Sequence, residues 1–303
     1  MSQAVALVTG ATGQQGGATA REVLKSGLKV HALVRNPLSD SAVELQRLGV
    51  QLFPGDFDDK ASLNAAMKDV TAIFLNVSPI PSDHEREVIQ AKNILRAASS
   101  SGTVTTIVYS SVTMTGKHES FPNWSPDYPS AWYWQNKARI ESMVRASDAK
   151  YWTILRPAFL MNNYHGPTAS HMFPDLVQKR TFLTAYKPST AMTLVDPGDV
   201  GKFAVAAIVD PSAFNRHEID LGVESLRPAE IVNELSRASG TDIALQFYSE
   251  REAADLALKD PRIDAQLWAN DVGYQVDFER LSKYPLRLTP FSEYLEKQDL
   301  RTM

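Results

Sequence analysis

Cysteine is absent from the 303-residue sequence. Disulfides, thiolate metal sites and cysteine nucleophiles are therefore excluded. Long apolar runs are missing as well. The longest, such as Phe203 to Val209, fall far short of the roughly 20 residues needed to cross a bilayer. A strand pattern begins by residue 4, so no signal peptide is expected and a soluble, cytoplasmic protein is. No basic block stands out, and the formal net charge is −4, which disfavours direct nucleic-acid binding by electrostatics. His31, His84, His118, His165, His171 and His217 show no i, i+4 pairing and no neighbouring carboxylate set, so no metal site is expected. No Gly-x-Ser-x-Gly elbow supports an esterase. There is no internal repeat and no low-complexity linker. Hydrophobic content of 44% and charged content of 22% leave an ordinary globular chain, long enough for one large α/β domain or two small ones.

What is present centres on Val8-Thr9-Gly10-Ala11-Thr12-Gly13-Gln14-Gln15-Gly16-Gly17. The apolar run Ala4 to Val8 leads in. A helical pattern with Ala20, Val23 and Leu24 leads out and stops at Gly27. The glycines thus fall at a strand-to-helix turn. Gly10 permits the tight turn, Gly13 lets the backbone approach a pyrophosphate, and Gly16 lets helix and strand pack closely. The helix N-terminus offers free N–H groups and partial positive charge to phosphates. The plainer alternative is a glycine-rich turn in a nucleotide-free α/β domain.

The first half alternates strand and helix patterns, which predicts a parallel sheet covered on both faces. Strands are expected at Val30–Val34, Val50–Phe53, Thr71–Leu75, Thr105–Tyr109 and Trp152–Leu155. A helix opens near Ser39-Asp40 with Val43, Leu45 and Leu48 apolar. Others run over roughly Asp83–Ser100 and Ser130–Ala146. Ligands in open α/β sheets bind outside the carboxyl ends of the strands, so the residues there are the candidates. The second half is less regular. Met161 to Tyr186 lack periodicity, while Met192–Val195 and Glu218–Leu221 read as strands. Helices are expected over Pro197–Val209 and from Arg227-Pro228 to near Gly240, followed by an alternating stretch, Ile243–Tyr248, and a mainly helical remainder. The expected organisation is a doubly wound parallel sheet over 1–156, rejoined by about 192–222, with 157–191 and 223–303 building a smaller substrate or cap region.

The second strand ends in Arg35-Asn36, with no acid until Asp40. NAD sites carry an acid about 20 residues past the glycines, on the ribose hydroxyls. A carboxylate would repel a 2′-phosphate and a guanidinium can bind it, so Arg35 points to NADP. Elsewhere Arg35 would be read as a solvated surface arginine. Asp56-Phe57 can hold adenine through the carboxylate and the ring, or be an Asp turn with Phe57 in the core. Tyr133 and Lys137 form Tyr-x-x-x-Lys, which shares a helix face. A nearby ammonium favours a phenolate, so Tyr133 could protonate a carbonyl oxygen as hydride arrives. Lys137 could also hold the nicotinamide ribose, and Ser111 could hydrogen-bond the same oxygen. Alternatively Tyr133, Lys137, Ile140 and Val144 are one buried stripe with the lysine snorkelling. Phe121, Trp124, Tyr128, Trp132 and Trp134, with Phe159, Met161, Tyr164, Met172 and Phe173, are either packing residues or an aromatic wall for a flat, apolar substrate.

With these residues in hand, the chain resembles the NmrA-like family of atypical short-chain dehydrogenases/reductases. The match is carried by Thr9 to Gly17, Val34-Arg35-Asn36-Pro37, Gly55-Asp56-Phe57, Tyr109-Ser110-Ser111 and Leu155 to Asn163. Val195 to Gly201 and Arg227 to Ile231 add to it. The resemblance implies a Rossmann fold with a smaller C-terminal substrate region and NADP binding. On those matches Thr12, Gly13, Gln15, Arg35, Asp56, Phe57, Asn76 and Lys137 would be cofactor residues. The expected cofactor set also takes in Gly10, Gln14, Gly16, Val77, Pro157 and Phe159, and the expected catalytic set is Tyr133, Lys137 and Ser111. Some family members resemble NADP(H)-sensing regulators that lack the tyrosine; others are reductases. Tyr133, four before Lys137, favours an enzyme. The gap from Ser111 to Tyr133 is longer than in standard short-chain enzymes, which leaves Ser111 against Thr113 open.

The expected activity is NADPH-dependent reduction of an apolar or aromatic carbonyl or quinone. The alternatives are an NADP(H)-binding redox sensor without turnover, or an isomerase or cyclase using the same pocket. The expected partner is a small-molecule substrate, with no direct nucleic acid and no membrane. A homodimer or a protein partner stays open.

Overall fold

The computed structural model describes residues 4–300. Along the chain it places β1 (Val5–Val8), α1 (Gln14–Lys25), β2 (Lys29–Val34), α2 (Asp40–Arg47), β3 (Gln51–Pro54), α3 (Lys60–Ala66), β4 (Ala72–Leu75), α4 (Arg86–Ser101), β5 (Thr106–Ser110), α5 (Ala131–Arg145) and β6 (Tyr151–Pro157). There follow β7 (Phe159–Leu160), α6 (Gly166–Met172), α7 (Pro174–Lys179), β8 (Thr181–Thr184), β9 (Met192–Val195), α8 (Pro197–Val209), β10 (His217–Leu221) and β11 (Glu224–Leu226). The chain continues through α9 (Pro228–Ser239), β12 (Ala244–Phe247), α10 (Glu250–Ala257), α11 (Pro261–Asp271), α12 (Phe278–Leu281) and α13 (Phe291–Glu296). Two compact units result. The first gathers the described residues up to Gly116, Trp132–Arg156 and Pro197–Ile219. The second gathers Lys117–Ala131, Pro157–Asp196 and the described residues from Asp220 onward.

The first unit is built on a seven-stranded sheet of order β10-β6-β5-β4-β1-β2-β3. The pairs β1–β2, β1–β4, β2–β3, β4–β5 and β5–β6 are all parallel. This is the doubly wound Rossmann arrangement, and the strand order reverses between β1 and β4, where such sheets open a crevice for ligands. The central strands β1, β4 and β5 are buried along their whole length, as strands covered on both faces are, and β1 and β4 are unbroken apolar runs. β3 is partly exposed and ends in Pro54, which an edge strand tolerates.

The helices bury the stripes that their spacing dictates. On α4 these are Val88, Ala91, Ile94, Ala97 and Ala98, and the helix stops at Gly102 with φ 67°. Ile140 and Val144 of α5 enter the same core as Leu75 and Tyr109. α2 buries Ala42 and Leu45, whereas Leu48 lies beyond it and is exposed. α3 carries no long apolar period in the sequence. Asp59 caps it by accepting hydrogen bonds from the amides of Ala61 (2.9 Å) and Ser62 (3.2 Å), and Leu63 and Ala66 anchor its single buried edge.

In the second unit, β9 pairs antiparallel with β11 and parallel with β7, and β12 pairs parallel with β8. The aperiodic stretch from Met161 resolves into short pieces around an aromatic core. Tyr164 stacks on Phe173 with centroids 5.3 Å apart, and Phe182 and Phe291 meet Tyr164 edge-on. Helices of six or seven residues are too short to display a 3.6-residue period. Longer ones follow their signals: α9 has Pro228 in its first turn and Gly240 after its last.

α1 and α8 pack closely because Gly201 has no side chain. A Cβ there would lie 3.0 Å from the Cα of Thr19 and 3.0 Å from Cγ of Glu22. Gly201→Ala should overpack this contact and cost about 1–3 kcal/mol, read as a lowered midpoint in thermal unfolding. An unchanged midpoint would show that the helices yield freely there.

Candidate functional site

The glycine turn joins β1 to α1 by backbone alone. Gly10 has φ 65°, in the left-handed region that favours glycine. The Gly13 amide donates to the Gly10 carbonyl at 2.9 Å. A Cβ on Gly16 would stand 2.2 Å from the Gly10 carbonyl oxygen, and one on Gly10 would stand 3.2 Å from the Asn76 carbonyl and side chain. No side chain caps α1, and its first turn holds no acid. Its opening amides are therefore left to an outside acceptor. Thr12, Gly13 and Gln14 are exposed there, and Gln15 is half-buried. Thr9 ties the ends of β1 and β4 together, its Oγ1 accepting from the Asn76 amide at 2.7 Å. These features suit the diphosphate of a dinucleotide.

At the end of β2, Arg35 is exposed. Among the described residues it makes no ion pair, so its guanidinium is uncommitted. Asp56, after β3, accepts at one oxygen from the amides of Asp58 (2.8 Å) and Asp59 (3.0 Å). That is the Asp-turn geometry, and it leaves the second carboxylate oxygen for a ligand. Phe57 is half-buried against the core, with its carbonyl accepting from Asn93 Nδ2 at 3.0 Å. Val77 sends its side chain into that core, so only its backbone is available to a ligand.

Beyond β5, Ser111 is buried. Its amide donates to Leu155 at 2.8 Å, and its hydroxyl donates to Thr115 Oγ1 at 3.2 Å. The Thr113 hydroxyl is buried without a hydrogen-bond partner, so both candidates sit at this strand end. On α5, Tyr133 is half-buried between Trp132 and Trp134, which meet it edge-on at 6.2 and 5.2 Å. Lys137 Nζ lies 5.6 Å from the Tyr133 ring centroid. The lysine does not snorkel. It is buried, and its ammonium pairs with Glu87 Oε1 of α4 at 2.5 Å. Glu87 is wholly buried, and its Oε2 has no hydrogen-bond partner. Burial pushes the neighbouring Tyr109 phenol well above its ordinary range, reinforced by Glu87, Glu141 and Tyr133 and opposed by the Ser111 hydroxyl. Tyr109 therefore stays protonated.

Glu87 is the residue that motif reading passed over. Its signal was a carboxylate in register with the buried stripe Ala91, Ile94 and Ala98. One turn beyond Lys137, buried Glu141 accepts from Arg156 through both oxygens (2.8 and 2.6 Å) and from Arg145 at 2.6 Å. The Arg156 of the Leu-Arg-Pro stretch is thus a structural partner of α5. Pro157 closes β6 and is buried. Phe159 packs in the second unit against Tyr164, Phe173 and Tyr274, with centroids 5.4–6.5 Å apart. Phe121, Trp124 and Tyr128 form an aromatic cluster in that unit, and Phe121 also meets Trp268. Among the described residues no His, Asp and Glu cluster could hold a metal ion. Among the described residues no helix is long and apolar enough to cross a membrane.

The profile of the NmrA-like family matches residues 2–294. The chain belongs to the NmrA-like family. An NmrA-like family domain-containing protein of Dictyostelium discoideum is 26% identical over 302 residues, covering 96% of each chain. Among solved structures, an NADPH-dependent quinone oxidoreductase of Escherichia coli complexed with NADPH superposes with TM-score 0.72 and 24% identity. That match covers 96% of this chain and 98% of the other. NmrA, a negative transcriptional regulator in complex with NADP, superposes with TM-score 0.73 and 21% identity over 98% and 95% of the two chains. These likenesses show the Rossmann fold.

Lys137→Met would strand the Glu87 charge in the core and should destabilise the fold by about 3–5 kcal/mol. Adding Glu87→Gln should recover most of that loss. Denaturant unfolding at neutral pH checks both; full stability of Lys137→Met would contradict the burial argument.

Proposed function

We propose that this protein is an NADP(H)-dependent oxidoreductase that reduces an apolar or aromatic carbonyl or quinone. The observation that carries the reading is the uncapped, acid-free mouth of α1 with an uncommitted Arg35 at the next strand end. A mouth of that kind favours a diphosphate, and Arg35 favours a 2′-phosphate over a bare ribose. The oxidoreductase that shares the fold is named for NADPH and quinones, which adds support.

In this reading the first-turn amides of α1, with Thr12 to Gly16, hold the diphosphate, and Asn76 and the Val77 backbone line the path beyond. Asp56 and Phe57 would receive the adenine through the free carboxylate oxygen and the ring, and Pro157 and Phe159 belong to the proposed cofactor set. The bound cofactor would supply a hydride to the substrate carbon. Tyr133 would give its phenolic proton to the substrate oxygen, with Ser111 or Thr113 holding that oxygen in place. Lys137 would keep a positive charge beside the phenol and donate to ribose hydroxyls. The aromatic side chains of Trp132 and Trp134 on either side of Tyr133 support a flat, apolar substrate.

A second reading, an NADP(H)-binding regulator without turnover, is favoured by one observation. The ammonium that would activate Tyr133 is already paired with Glu87. A regulator bound to NADP also shares the fold.

The discriminating experiment follows NADPH oxidation with quinones and aromatic ketones as acceptors. Turnover that falls by about 100-fold or more in Tyr133→Phe supports the proton-donor role, and an unchanged rate contradicts it. Absence of turnover with saturable NADPH binding favours the regulator. Arg35→Ala should weaken NADPH by about 10- to 100-fold and leave NADH within about twofold. Equal losses for both would remove the 2′-phosphate assignment.

A further inference from the structure

We infer that Glu87 is a positioning residue for the proposed cofactor clamp, acting through Lys137, whose ammonium it fixes in place and keeps charged inside the core. This inference rests on the reading of the chain as an NADP(H) binder.

The pair is unusual where it stands. Glu87 lies on the buried stripe of α4 with Ala91, Ile94 and Ala98, and side-chain exposure of Lys137 and Glu87 is 5% and 0%. Removing two charges from water is costly, and well-packed apolar residues at such positions are often as stable or more so. The pair is thus poorly explained as a stabilising device. It is also incomplete. Of the three N–H groups on Lys137 Nζ, one is used by Glu87 at 2.5 Å, and no other hydrogen bond from this nitrogen occurs among the described residues. The second carboxylate oxygen of Glu87 is buried without a partner. A half-satisfied buried pair invites further polar contacts. Glu87 has no surface of its own, so whatever it does for a ligand passes through the lysine.

The surroundings give the carboxylate this work. Tyr133 presents its ring to the ammonium on α5. From β5, the Tyr109 phenol feels Glu87, Glu141 and Tyr133 and stays neutral. Glu141 is occupied by Arg145 and Arg156. Glu87 is therefore the carboxylate in contact with Lys137, and without it the ammonium would lie buried with no opposite charge against it. Burial of that kind favours the uncharged amine, and an amine loses a donor and its charge together. With the carboxylate present, the ammonium stays charged with two N–H groups available. These suit the paired hydroxyls of a ribose.

The test is the NADPH affinity of the purified full chain between about pH 6 and about pH 9.5, read by fluorescence, with thermal unfolding recorded in parallel. The wild type should bind evenly across this range. Glu87→Gln should match it within about threefold at the acid end and fall by at least about tenfold at the alkaline end. Glu87→Asp keeps the charge but withdraws it by one methylene, so it serves if the Gln variant does not fold; its alkaline loss should begin between the other two. Glu87→Gln/Lys137→Met should fold, and bind weakly at every pH. A Gln or Asp profile that tracks the wild type at every pH overturns the role of Glu87. If the wild type binds and the double variant binds equally well, the Lys137 clamp itself is wrong. If the wild type shows no saturable binding, the cofactor reading falls, and this inference with it.

Discussion

The approach of one peptide to another at the first turn of α1 governs what the protein can do. Gly16 sits so close over the Gly10 carbonyl that a methyl group between them would overlap it, the would-be Cβ standing 2.2 Å from the oxygen. That contact seats the helix directly on the end of β1 and turns its uncapped amides toward the crevice at the β1/β4 reversal. Any side chain at Gly16 would push the helix away. The electrostatics of a helix terminus fall off within about one turn, so the anion site depends on this closeness. The packing of α1 on α8 through Gly201 holds the same helix from its other side.

A second constraint runs through α5. Tyr133, Lys137 and Glu141 follow one another at i, i+4 and i+8, and a single helix face carries a phenol, an ammonium and a carboxylate into the interior. Each charge has a fixed answer from another element, Glu87 of α4 for the lysine and Arg156 of β6 for Glu141. The crossover between β5 and β6 is therefore oriented by charge pairing as well as by Ile140 and Val144 in the core. Buried pairs of this kind fix register more reliably than they add stability.

Much of this was legible in the sequence. The apolar runs of β1 and β4, the apolar centre of β5, the glycine turn and the α4 stripe pointed to the doubly wound sheet because buried parallel strands and long amphipathic helices leave strong patterns. Three things were not legible. α3 is a two-turn helix whose signal is one capping aspartate, Asp59, and two apolar contacts. The short helices and strands after Met161 are set by aromatic packing between residues distant in sequence, such as Tyr164 with Phe291, which no local period records. The partner of Lys137 was hidden because Glu87 reads as a solvated charge unless its register with Ala91 and Ile94 is followed. For Asp56 and Phe57 the sequence left two readings, an adenine site or an Asp turn with Phe57 in the core; the structure shows the turn through one Asp56 oxygen and part of the Phe57 ring in the core.

The central claim is that α1 receives a dinucleotide diphosphate at its mouth, and backbone amide NMR during an NADPH titration tests it most directly. The account predicts saturable shifts concentrated at the amides of Thr12, Gly13, Gln14, Gln15 and Gly16, complete at ligand concentrations well below about 1 mM. Shifts that never saturate, or that saturate elsewhere while these five amides stay still, would contradict it.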